Sequence, residues 1–132
     1  MDQARREAFQ AGLKMMDQVY GPSVGEKVRA AGEPSPYMEE TVSHLFGKVW
    51  AGGKMSIRDR RLAIIGASAM IGRQDLIEVQ TKAALLNGEL TPEELDELVL
   101  ILAYYVGWPN STALSRGVSA AVAAHAAASP KA

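Results

Sequence analysis

Three arginines around one aspartate, Arg58-Asp59-Arg60-Arg61, open a long apolar stretch. Guanidinium groups at this density hold carboxylates or phosphates, and the first turn of a helix attracts an anion while opposing cations. Arg58 and Arg60 are therefore candidates to bind a substrate carboxylate. The alternative is that the cluster pairs with Asp59, Asp75 or the Glu93, Glu94 and Glu97 group and only holds helices together. Gln80 is a second anomaly: Leu76, Ala83 and Ala84, at i−4, i+3 and i+4, put it on the buried side of its helix, where an amide needs partners. It either faces a site or ties two backbones together. Arg73, seven residues earlier on the same face, is expected to reach a cavity rather than solvent. Glu39 lies at the edge of an apolar stripe, with Phe46 and Trp50 at i+7 and i+11. That setting favours the protonated form a general acid needs, unless an arginine pairs with it.

Other chemistries find no support. His44 stands opposite the apolar stripe of its helix, beside Tyr37 and Lys48, and is expected to be exposed unless an interface covers it. His125 sits in an alanine-rich tail as a solvated residue. Neither belongs to an HxH or HExxH spacing, so no metal site is expected. Ser111 and Ser115 lie outside any GxSxG motif. The chain has no cysteine, which excludes thiol nucleophiles and dithiol redox chemistry. Gly52-Gly53-Lys54 lacks the residues that flank a phosphate loop, and no dinucleotide fingerprint occurs, so no cofactor is expected.

The elements that must position these residues are all helical. Ala4, Phe9, Leu13, Met16 and Val19 predict a helix over 3–20, ending at Gly21-Pro22, and a short helix follows around 22–31. Pro36 opens the next, where Met38, Val42, Leu45, Phe46 and Val49 form a buried stripe running to Trp50. Residues 56–71, containing LAIIGASAMIG, are apolar or small on every side and predict a central helix surrounded by others. A helix over 74–87 carries Glu78 and Lys82 as an i, i+4 pair and ends at Asn87-Gly88. Thr91-Pro92-Glu93-Glu94 reads as an N-cap, a proline at N1 and a capping-box glutamate. The helix it starts, 92–106, buries Leu95, Leu98, Val99, Leu102 and Val106, while Leu100 and Ile101 point elsewhere, as if another subunit covered them. Gly107-Trp108-Pro109 breaks the apolar run before a last helix over 110–127, and the tail 126–132 is expected to fray.

No strand pattern, repeat or second domain is visible, so the expectation is an all-α, single-domain bundle of about six helices. At 132 residues and 48% hydrophobic the chain can bury a core, and a net charge of −1 gives no basic field for nucleic acid or anionic membranes. The longest apolar run, LVLILAYYV, is half the length of a membrane span, and MDQARREAFQAG lacks a signal-peptide core; a cytoplasmic protein with a small-molecule or protein partner is expected.

Taken in order, FGKVW, MSIRDRRLAIIGA and KAALLNGELTPEELDELVLILAYYVGWPN make the chain similar to the carboxymuconolactone decarboxylase family over roughly residues 38–115. Arg58, Arg60, Asn87, Gly88, Glu94, Glu97, Tyr105, Gly107 and Pro109 match its pattern. The resemblance implies a helical subunit of a homotrimer or homohexamer, with a pocket between helices and neighbouring chains. Its helix break, similar to Tyr105-x-Gly107-x-Pro109, turns the chain at that pocket, which brings in Tyr105 and Trp108. Where related thiol peroxidases carry CxxC and a histidine, this chain has Arg73, Leu76 and Gln80; glutamine also replaces the decarboxylases' histidine, and it transfers no proton near neutrality. The implied activity is a cofactor-independent decarboxylation of a small unsaturated carboxylate or lactone. Arg58 or Arg60 would clamp the carboxylate, Gln80 or Tyr105 would donate to the enolate, and Glu39 would return the proton, with Arg73 and Trp108 lining the site. A non-catalytic oligomer that binds an apolar ligand in the same fold is the other reading.

Overall fold

The computed structural model describes residues 1–129, and all regular structure among them is helical. Seven helices follow one another: α1 (Gln3–Tyr20), α2 (Val24–Ala30), α3 (Pro36–Glu40, continuing through Thr41–Trp50), α4 (Ile57–Met70), α5 (Gln74–Leu86), α6 (Pro92–Val106) and α7 (Trp108–Ala128). They form two compact units, Met1–Ile57 and the chain from Arg58 onward, each with its own hydrophobic cluster.

In the first unit, Asp2 caps α1 by accepting from the Arg5 amide, and Gly21, at φ 117°, ends it. α1 buries Phe9, Leu13, Met16 and Val19 against Val42, Phe46 and Trp50. The backbones approach closely there: a Cβ on Gly12 would overlap the Val42 carbonyl oxygen, so only glycine fits. The continuation of α3 is a π-helix over Thr41–Trp50. Its wide turns explain why only part of the expected stripe is buried. With i→i+5 bonding, residues four apart nearly align, so Val42, Phe46 and Trp50 stay in the core while Leu45 and Val49 swing out to solvent.

The second unit gathers Ile65, Ala69, Ile77, Leu95, Leu114, Val118 and Ala121, with α7 packed on α5 and α6. Gly117 lets α7 close on α5, since a Cβ there would lie 2.7 Å from the Ile77 methyl. The expected caps are present: Gly88 is left-handed at φ 68°, and Thr91 and Glu94 complete a capping box. The break is sharper than the sequence implied. Gly107, at φ 86°, is the only residue between α6 and α7, and α7 starts at Trp108. Asn110 fastens the turn by donating 3.0 Å hydrogen bonds to the last carbonyls of two helices, Met70 O and Val106 O. α7 stays helical to Ala128, so 126–128 are ordered helix; residues 130–132 of the expected frayed tail lie outside the described residues.

α4 is not wrapped on all sides within the chain. It buries Arg61, Ile65, Ser68 and Ala69, yet Ile64 and Met70 are exposed, as is Ile71 beyond its end. Leu76, Val79 and Leu86 of α5 and Leu100, Ile101 and Tyr104 of α6 are exposed as well. No helix among the described residues is long and apolar enough to cross a membrane.

Candidate active site

The arginine cluster at the start of α4 divides into separate roles. Arg61 is 0% exposed, at the head of the buried line formed by Ile65, Ser68 and Ala69 at i+4, i+7 and i+8. Its Nη1 donates to Gln80 Oε1 at 2.7 Å, and its Nε and Nη2 fork onto the Glu89 carboxylate at 3.0 and 3.3 Å. Asn87 Nδ2 donates to the same carboxylate at 2.8 Å. A buried guanidinium is tolerated only when paired and hydrogen-bonded, and this one is. Gln80, 8% exposed, is buried as its spacing implied, and its amide oxygen accepts from a side chain of α4. Arg61 stood in the sequence only as one of three clustered arginines, and Glu89 carried no signal at all. The signal for Arg61 was its i−4, i−7 and i−8 relation to the buried residues of α4, masked by the habit of assigning charge to the outside.

Arg58 lies further out. Its Nε donates to Glu89 O at 2.9 Å and its Nη2 to Glu94 Oε2 at 2.8 Å. Glu94 therefore serves two partners, the Thr91 amide in the capping box and Arg58, and these hydrogen bonds hold its carboxyl below the usual range. Arg60, two residues on, is half-buried. Arg73 departs from expectation: it sits at the N-cap of α5, where the face defined by the helical repeat has not begun, and forks onto Asp75 in the open, 54% exposed. That hydrogen bond draws the Asp75 carboxyl down to about 2.

At the helix break, Tyr105 is 78% and Trp108 61% exposed, and Tyr104 meets Trp108 edge-on at 5.8 Å. Trp108 walls a cleft of about 500 Å³ between α6 and α7, floored by Val99, Leu100 and Ala103. Asp96 and Arg116 stand at its rim, and neither side chain has a hydrogen-bond or ion-pair partner among the described residues. Arg116 had not been singled out, because one charge in a helix of alanine and serine carries no pattern. Glu39 belongs to the first unit. It accepts an ion pair from Arg5 at 2.7 Å, with its side chain 20% exposed, in a cleft of about 300 Å³ that His44 and Lys48 also line.

The second unit is thus an all-helical scaffold braced by a buried arginine, with an aromatic-walled cleft at a glycine break. The Carboxymuconolactone decarboxylase family model matches residues 36–129, most of the chain, and the protein belongs to that family. Its similarity extends to an individual relative, the 4-carboxymuconolactone decarboxylase of Acinetobacter baylyi, 27% identical over 109 residues that cover 81% of each chain.

Proposed function

We propose that the chain is a cofactor-independent enzyme of the decarboxylase type, acting on a small unsaturated carboxylate or lactone within a cytoplasmic homotrimer or homohexamer. The observation that carries this reading is the α6–α7 cleft. Its apolar floor and tryptophan wall suit a flat conjugated ligand, and its unpaired arginine suits a carboxylate. Loss of carbon dioxide leaves an electron pair that must flow into a conjugated carbonyl, so the reaction calls for an anion clamp, a donor to the enolate oxygen and a proton for carbon. Arg58 or Arg60 is the clamp. Either would have to exchange partners that it already holds, Glu94 in the case of Arg58. Gln80, through its amide nitrogen, or Tyr105, whose exposed ring a neighbouring chain would cover, donates to the enolate oxygen. Glu39 returns the proton, and Arg73 and Trp108 line the approach.

The amide at Gln80 favours a second reading. A group that moves no proton stands where the decarboxylases have histidine, which fits a protein that binds such a ligand without turning it over. Glu39→Gln and Tyr105→Phe separate the two. For an enzyme, both variants bind a carboxylated lactone about as tightly as wild type while carbon dioxide release falls by about 100-fold or more, the scale of a lost general acid. Ligand bound by wild type with no carbon dioxide released contradicts the enzyme reading.

A further inference from the structure

The cleft of the first unit holds an arrangement that the arginine cluster and the helix break do not explain. The end of α3 and the π-helical turns that follow stack Glu39 and Glu40, then Ser43 and His44, then Lys48, opposite the buried Val42, Phe46 and Trp50. α1 supplies Arg5, Ala4 and Ala8 as the other wall. The side chains of His44, Lys48 and Glu40 have no hydrogen-bond or ion-pair partner among the described residues. Ser43 Oγ is buried in the wall without a hydrogen-bond partner, a state that native proteins relieve with a ligand or ordered water.

The charged groups facing His44 are Arg5 from α1, Glu39 and Glu40 from α3, and Lys48 from its own segment. Two cations balance two carboxylates, and Arg5 and Glu39 already neutralise one another. With a neutral imidazole the cleft has no net charge. Protonation of His44 makes it singly positive, so the charge on one imidazole decides whether an anion is held.

We propose that this cleft binds a small monocarboxylate and takes up a proton on His44 as it does so. Lys48 and the imidazolium hold the carboxylate, and the unpartnered Ser43 hydroxyl lies in the same wall. Linkage makes the two events reciprocal: the anion raises the affinity of His44 for a proton, and the proton raises affinity for the anion by the same factor. The binding claim stands apart from catalysis. Its use in turnover rests on the proposed decarboxylase reading: the bond to the carboxylate carbon breaks, the electron pair enters the conjugated carbonyl, and carbon then takes one proton, so carboxylate and proton are consumed one to one. A site that admits them together supplies both.

The chain has only two histidines, His44 and His125, so proton NMR can follow each through its titration, with His44→Gln fixing the assignment. The probe is sorbate, a conjugated monocarboxylate with no lactone to open. Saturating sorbate is expected to move the His44 midpoint up by about one pH unit and leave His125 in place. Sorbate should correspondingly bind about tenfold tighter at pH 5.5 than at pH 8.5, a dependence that His44→Gln abolishes. Failure of sorbate to bind overturns the proposal. So does a His44 midpoint that sorbate leaves unmoved, or equal movement of both histidines. None of these readouts requires turnover, so an inactive protein that shows the coupled shift would sink the decarboxylase reading and leave this one standing.

Discussion

Removing the Arg61 guanidinium would leave the Gln80 amide oxygen and the Glu89 carboxylate without their partner, inside a unit that offers little water to replace it. Arg61→Met is therefore expected to destabilise the fold by about 3–5 kcal/mol, the cost of stranding one member of a buried ion pair. Arg61→Met with Glu89→Leu should recover part of that loss, since no charge is then left unpaired. Urea unfolding of both variants checks the pair; a single mutant as stable as wild type would mean that Glu89 finds water instead. At this scale the sequence was half legible. Neighbours at i−4, i+3 and i+4 exposed Gln80 as buried, because helical spacing reports which face a residue is on. They could not name its partner, since Arg61 lies nineteen positions away in the chain. Arg73 misled for a related reason: a residue at the N-cap has not entered the helical repeat, so the face it was assigned does not apply to it.

Elements were more legible than contacts, because caps and breaks are written in local chemistry. Thr91-Pro92-Glu93-Glu94 and Asn87-Gly88 fixed one end each of α6 and α5. Thr91→Ala is expected to cost about 1 kcal/mol, the usual effect of an N-cap, measured as a lower unfolding midpoint. Glu94, held below its ordinary range by the same cap and by Arg58, adds stability above that range and loses it as pH falls through the lowered value. Asp75 behaves likewise between 3.8 and about 2, although its exposure to solvent makes the effect small. Melting temperature should therefore drop less steeply in acid for Glu94→Gln than for wild type, and a parallel curve would contradict the assignment. The π-helix escaped the sequence, since an apolar i, i+4, i+8 line fits either pitch and only the fate of Leu45 and Val49 separates them. Gly12→Ala tests that packing. Its new methyl would meet the Val42 carbonyl, and a loss of more than about 2 kcal/mol is expected from a clash with backbone that cannot turn aside.

For the molecule as a whole, apolar side chains remain uncovered on α4, α5 and α6. Leu100, Ile101, Tyr104, Tyr105 and Trp108 form the longest such run, along the end of α6 and across the break. Monomers seldom expose apolar surface of this extent, and the off-stripe positions of Leu100 and Ile101 made it legible beforehand. Light scattering is expected to give a trimer or hexamer, and Leu100→Glu with Ile101→Glu should shift the protein toward smaller species; a wild-type monomer at micromolar concentration would contradict both. What spacing could not show is which exposed face meets which, because that depends on shape across two copies. The central claim, turnover of a small carboxylate without a cofactor, is met most directly by incubating the wild-type protein in deuterium oxide with a panel of carboxylated lactones. The account predicts release of carbon dioxide and the uptake of one deuterium on carbon in the product. Recovery of every lactone unchanged, from protein shown to bind at least one of them, would contradict it.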